Sequence, residues 1–334
     1  MKKFSGIWCI LLLSSLLFAC GTPADGNSKT DPQEMHNAAN KQDGAKPDAP
    51  PEADERDAPH KTVENDTPQN TNDPDTPQET DENGAPQEPI EKELALDEMF
   101  QGIDGCAVLY SPAQAQYSFF NEAMCRQRQS PYSTFKIVSA LSGLQNGVIF
   151  DERSTLGYDG TAYGRPEWNG DLTLEEAFQA SCVWYFRKII DAVGSERIQE
   201  ELRELSYGNC DISQWDGSGI NPGRQLNGFW LASSLKISPV EQTKVLADIF
   251  EGQSCFDRSA ATIVKHIMRA DESDAGTLYG KTGSDGDGEA WFVGFWESEE
   301  TRTYFAVYLN DRAQKERVSG AKAKEIALEI FQSM

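Results

Sequence analysis

The chain has 334 residues, with 54 Asp and Glu against 30 Lys and Arg, and a formal charge of −24. Such an acidic balance disfavours nucleic acid as a partner. The length leaves room for one or two domains with a real core, but the composition is uneven along the chain.

Residues 1–20 open with Lys2-Lys3 and continue with an apolar run from Ile7 to Phe18. The run is too short for a membrane span and reads as the signal peptide of an exported protein. It ends in Leu17-Phe18-Ala19-Cys20 followed by Gly21, which resembles a bacterial lipobox. That resemblance implies cleavage before Cys20, a lipid on its sulfur and an extracytoplasmic, membrane-anchored lipoprotein.

Residues 21–92 hold 18 Asp and Glu, 6 Lys and Arg and 11 of the 16 prolines; Met35, Val63 and Ile90 are the large apolar residues. A segment of this kind cannot bury enough apolar surface to offset its ordering entropy. It reads as a disordered acidic tether, extended by its own charge. Half of the chain's net charge sits here.

Residues 93–334 are the expected folded domain. Cys106–Tyr110 and Gln116–Asn121 read as two short strands around a turn at Ser111-Pro112. A helix follows Ser130-Pro131, with Ser130 as its cap. Thr173-Leu174-Glu175-Glu176 has capping-box spacing and opens another helix. Helical runs follow at Trp184–Val193, after a capping Ser195, at Val240–Phe250 and at Ala260–Arg269. Residues 211–228, rich in Gly, Asn, Asp and Ser, read as a long surface loop. Aromatic and β-branched runs at Leu278–Gly283, Ala290–Glu297 and Arg302–Leu309 predict an antiparallel meander, and Ala321–Phe331 a last amphipathic helix. Strands at both ends with helices between them predict an α+β fold, one antiparallel sheet built by both termini and packed against a helical block. The domain's cysteines, Cys106, Cys125, Cys182, Cys210 and Cys255, are odd in number. Cys106 and Cys125 could bridge across the hairpin, or all five could be thiols.

Ser133 and Lys136 stand one helical turn apart, so their side chains share a face. Ser-x-x-Lys recurs at Ser233/Lys236 and Ser319/Lys322, so spacing alone does not single out this pair. Histidine narrows the chemistry. Of three, His36 and His60 lie in the tether, leaving His266 as an ordinary helix residue. A Ser-His-Asp hydrolase or a His/Cys metal site is therefore unsupported, and a nucleophilic Ser133 needs a base built on lysine. Ser181-x-Val183 sits at a break between helices, where a side chain can face a cleft. Lys281-Thr282-Gly283 ends a strand, where Gly283 permits close backbone approach and the lysine attracts a carboxylate.

In that order, Ser133-Thr134-Phe135-Lys136, Ser181-Cys182-Val183, Tyr207-Gly208-Asn209 and Lys281-Thr282-Gly283 resemble the motifs of the serine penicillin-recognising enzymes, most closely the class D β-lactamases. The resemblance spans the domain and none of the tether. It implies hydrolysis of penicillin-type β-lactams through an acyl-enzyme on Ser133. Lys136, carboxylated by CO₂ or bicarbonate, would be the general base, with no other cofactor and no metal. Trp230 would donate a hydrogen bond to the carbamate, Phe135 and Val183 would wall it, and Ser181 would protonate the leaving nitrogen. The backbone N–H groups of Ser133 and Ser284 would form the oxyanion hole, and Lys281, Thr282 and Gly283 would bind substrate. The arginine with which many class D enzymes hold the substrate carboxylate has no clear match after Asp311-Arg312; Arg317 and Lys322 are the candidates. The alternative is a β-lactam sensor domain or a penicillin-binding transpeptidase, which acylates without turnover. Those groups carry Asn where Val183 stands, and a sensor needs transmembrane and cytoplasmic segments.

Overall fold

The computed structural model describes residues 89–334. The signal peptide, the lipidation site Cys20 and the tether up to residue 88 lie outside the described residues.

Along the chain the elements are β1 (Ile90–Glu93), α1 (Asp97–Phe100), β2 (Gly105–Ser111), β3 (Gln116–Phe120), α2 (Glu122–Cys125), α3 (Lys136–Gln145), α4 (Leu174–Gln179), α5 (Val183–Val193) and α6 (Ser195–Glu204). They continue with α7 (Pro239–Phe250), α8 (Arg258–Ile267), β4 (Arg269–Ser273), β5 (Gly276–Ser284), β6 (Glu289–Glu297), β7 (Arg302–Asn310) and α9 (Gly320–Ser333). One seven-stranded sheet runs in the order β1-β3-β2-β7-β6-β5-β4. The amino-terminal hairpin is zipped antiparallel to the carboxy-terminal meander through β2 and β7, with Val108 opposite Ala306. This is the α+β architecture expected.

The sheet is covered on both faces, and β7 shows why its sequence reads as an unbroken apolar run. Side chains alternate across a strand. Tyr304, Ala306 and Tyr308 face the large core shared with α3, α5, α7 and α8, whereas Phe305, Val307 and Leu309 face a second core closed by α1 and α9. Ile326, Ile330 and Phe331 give α9 its inward stripe. The expected capping box of Thr173 with Glu176 is formed, and the structure shows a second one, Ser238 with Glu241, at the start of α7.

Several local expectations are corrected. The strand Ile90–Glu93 begins inside the stretch assigned to the tether. All four of its residues are exposed; the strand pairs parallel to β3, and Glu91 adds an ion pair to Arg126 at 2.6 Å. The helix expected to reach Arg269 stops at Ile267, and Arg269 starts the polar edge strand β4. Charged edge strands bury little apolar surface and leave no hydrophobic period to read. Ser195 is not a cap, since Gly194 occupies that position at φ +90°. The five cysteines are free thiols, and buried Cys125 donates to Ala107 O at 3.3 Å.

Candidate active site

The Ser133 segment is not the plain helix start expected. Tyr132–Phe135 form a 3₁₀ turn that runs into α3 at Lys136. Ser130 caps nothing there; its hydroxyl accepts from Lys236 Nζ at 2.8 Å and its carbonyl from Trp291 Nε1 at 3.0 Å. The turn nevertheless stacks serine over lysine, and Lys136 Nζ donates to Ser133 Oγ at 2.7 Å. The two other Ser-x-x-Lys pairs do ordinary structural tasks. Lys236 binds Ser130, and Ser319 caps α9 by accepting from Lys322 N at 3.1 Å.

Lys136 is completely buried, and its Nζ lies 5.5 Å from the Phe186 ring. Burial first, and then the neighbouring Lys281, hold its pKa well below the usual lysine range. Both causes disfavour charge and favour the nucleophilic free amine. Phe135 packs on Trp230 at 5.7 Å, on Phe229 at 5.3 Å and edge-on to Tyr207 at 5.6 Å. Trp230 is itself fully buried, and its indole N–H has no acceptor. A buried donor without a partner costs about 1–3 kcal/mol and calls for an explanation.

The Tyr-Gly-Asn motif explains how that wall is held. Gly208 has φ +55°, and a Cβ there would stand 1.9 Å from Lys236 O, so no larger residue fits. Asn209 Oδ1 accepts from Lys236 N at 2.9 Å, and its Nδ2 donates to Ser234 O at 2.8 Å. The motif thus pins the segment that follows Trp230. The preceding loop is fastened by buried Arg187 of α5, which donates to Trp215 O at 2.7 Å and pairs with Asp191 and with Asp216 at 3.0 Å.

A cleft of about 790 Å³ opens over Ser133 and is lined by Ser181, Val183, Thr282, Gly283 and Ser284 among others. Trp168 supports its far wall by donating Nε1 to Ala180 O at 3.0 Å, next to Ser181. Lys281 Nζ donates to Ser181 Oγ at 3.1 Å and to Thr282 O at 3.0 Å. Burial pulls the Lys281 pKa down to about 7. The strand edge and the serine turn lie close together. A Cβ on Gly283 would sit 3.0 Å from Pro131 O and 3.3 Å from Ser133 N. The structure therefore brings Ser133, Lys136, Ser181, Val183 and Lys281 through Ser284 to one place, with Trp230 buried behind Phe135.

Two candidates fall outside it. Arg317 turns away to donate to Gln101 O at 3.1 Å, and Lys322 pairs with Glu325 at 2.9 Å; neither lines the cleft. The arginines that do line it are Arg165 and Arg312. Arg165 lies 5.2 Å over the Trp168 ring. Arg312 is held by Asp285, Asp287 and Glu289 at 3.2, 3.0 and 2.9 Å. Arg312 does follow the last strand, but its partners on the β5–β6 turn carry no spacing signal in the sequence.

A serine and a buried lysine in contact, a second serine–lysine pair opposite and a strand edge beside them thus meet in one cleft. Residues 104–332 match the penicillin binding protein transpeptidase domain family, and the chain belongs to it. Within it the likeness is to class D enzymes. The chain is 38% identical over 241 residues to the probable beta-lactamase YbxI of Bacillus subtilis, covering 72% of this chain and 84% of that one. It superposes on a class D beta-lactamase crystal structure from Bacillus subtilis with TM-score 0.64 and 38% identity, over 72% of this chain and 95% of that one. It also superposes on the C-terminal domain of the Bacillus licheniformis BlaR penicillin-receptor, with TM-score 0.65 and 31% identity, over 73% and 96%.

Proposed function

We propose that this protein hydrolyses β-lactam antibiotics of the penicillin type through a Ser133 acyl-enzyme, with Lys136 carboxylated by CO₂ as the base. The observation that carries the proposal is a fully buried, charge-averse Lys136 directly after Phe135, on whose ring packs Trp230, with a buried N–H that has no acceptor. A free amine suits CO₂ capture, and a carbamate there would supply an acceptor for the indole. When formed, that group provides a general base of the kind worth about 10²–10⁴-fold in rate. Ser133 Oγ, 2.7 Å from Lys136 Nζ, is the nucleophile that opens the lactam carbonyl. Ser181 delivers a proton to the departing nitrogen, and Lys281, in contact with it at 3.1 Å, replenishes and orients that hydroxyl. The N–H groups of Ser133 and Ser284 receive the oxyanion. Thr282, with Lys281 behind it, meets the substrate carboxylate. Water then attacks the acyl carbonyl, the bond from that carbonyl to Ser133 Oγ breaks, and the opened product leaves as a carboxylate while Ser133 regains its hydroxyl proton.

The likeness to BlaR allows a second reading, a sensor that acylates once. Val183 and Trp230 favour turnover, because an apolar wall and an indole donor both suit a carbamate. We further propose that the chain is exported and anchored to the membrane through Cys20, on the lipobox resemblance. Among the described residues no helix is long and apolar enough to cross a membrane. The test is steady-state hydrolysis of nitrocefin and benzylpenicillin with and without bicarbonate. Sustained turnover that bicarbonate raises is expected, and loss of it in Lys136→Ala; a single stoichiometric burst would favour the sensor. For the anchor, radiolabelled fatty acid should enter the wild-type protein and not Cys20→Ala.

A further inference from the structure

The two oxyanion donors sit on different elements, Ser133 on the 3₁₀ turn and Ser284 at the end of β5. Whatever holds turn against strand decides their spacing. The close approach at Gly283 is one contact between them. A second is a chain of side chains outside the sequence motifs.

Tyr132, immediately before Ser133, has φ +48°, a left-handed backbone that is disfavoured for a bulky aromatic residue and persists only when its surroundings enforce it. It is held at both ends. Its N–H donates to Trp230 O at 3.0 Å, and its hydroxyl donates to Glu289 Oε2 at 3.0 Å. Glu289 opens β6, and its other oxygen accepts from Arg312 Nη2 at 2.9 Å. The same guanidinium nitrogen reaches Asp285 Oδ2 at 3.2 Å, and Nη1 reaches Asp287. Asp285 directly follows Ser284, and its Oδ1 accepts from Asp287 N at 2.7 Å and Glu289 N at 2.9 Å. Gly288, at φ +112°, lets this turn lie against Arg312, whose Cα would be 2.7 Å from a Cβ there. One carboxylate is thus tied to the residue before Ser133 and, through Arg312, to the residue after Ser284.

We propose that Tyr132, Glu289 and Arg312 are positioning residues that set the spacing and aim of the two oxyanion donors. The inference rests on the acyl-enzyme reading above. The plainer role, Arg312 merely neutralising an acidic turn, leaves unexplained why Glu289 reaches across to the residue next to the nucleophile. Donors must be in place before charge develops, so displacement costs rate without weakening ground-state binding.

The test uses the full-length protein and the variants Tyr132→Phe, Glu289→Ala and Glu289→Gln. Three quantities are read: the acylation rate constant with benzylpenicillin, the affinity of a boronic acid that forms a tetrahedral adduct on Ser133, and the half-saturating bicarbonate concentration for turnover. Tyr132→Phe and Glu289→Ala should lower acylation and boronate affinity in parallel, by about 10–100-fold, somewhat less than outright loss of a donor. Half-saturating bicarbonate should not move, and Glu289→Gln should recover part of the loss. Tyr132→Phe keeps the ring and decides the matter should Glu289→Ala fail to fold. Normal acylation and boronate affinity in Tyr132→Phe, with only melting temperature reduced, would overturn the inference while leaving the acyl-enzyme reading intact. A wild-type protein that benzylpenicillin never acylates would overturn both.

Discussion

Trp230→Phe isolates the one interaction on which the carbamate reading depends. The ring of Trp230 packs on Phe135 at 5.7 Å and on Phe229 at 5.1 Å, and phenylalanine preserves much of that apolar contact while removing the N–H. In the protein without CO₂ that N–H is buried and unpartnered, so its loss relieves a penalty of about 1–3 kcal/mol, offset by poorer packing. With a carbamate on Lys136, the N–H becomes a donor to a charged acceptor, worth about 1.5–3 kcal/mol. At about 1.4 kcal/mol per decade, the carboxylation constant should fall by about 10–150-fold. The assay is steady-state benzylpenicillin hydrolysis against bicarbonate concentration, with single-turnover acylation measured beside it at saturating bicarbonate. The half-saturating concentration should rise by that factor and turnover should be largely recovered at high bicarbonate. An unchanged half-saturating concentration would refute the reasoning, because the indole would then have no charged partner.

Other consequences follow from the same geometry. Lys281→Met should raise the melting temperature at pH 7 while slowing acylation. The Lys281 pKa is lowered from 10.5 to about 7, so between those values the unfolded chain keeps a proton that the folded protein has released. Stability therefore rises with pH across that window, the cost of the buried ammonium is full below about pH 7, and the gain from methionine should shrink toward pH 10; a gain independent of pH would contradict this. Val183→Asn should keep acylation and lose deacylation by about 10²-fold or more, the scale of a general base. Stopped-flow traces should show a burst of one equivalent followed by little turnover, and an undiminished steady state would show that the apolar wall is dispensable.

Much of the fold was legible because burial leaves apolar runs and stripes. The unbroken run of β7, the inward stripe of α9 and the capping box at Thr173 announce themselves locally. β1 and β4 do not, since charged edge strands bury little apolar surface and are chosen by their neighbours. The reactive pair was legible only through its partners. Ser133/Lys136 differs from Ser233/Lys236 and Ser319/Lys322 in what folds around it, and the order of the distant motifs carried that information. Ser130 has the sequence of a cap and is not one, because Lys236, over a hundred residues away, claims its hydroxyl. The cleft arginines, and the bond from Tyr132 to Glu289, join residues with no shared motif or spacing, so nothing in the local sequence pointed to them.

The central claim is that Lys136 carries a carbamate and that turnover depends on it. The direct measurement is ¹³C NMR of the full-length protein titrated with ¹³C-bicarbonate, with benzylpenicillin turnover recorded on the same samples. A carbamate resonance should grow in the wild-type protein along the same curve as turnover and be missing in Lys136→Ala. Full turnover in CO₂-depleted buffer with no such resonance would contradict the account.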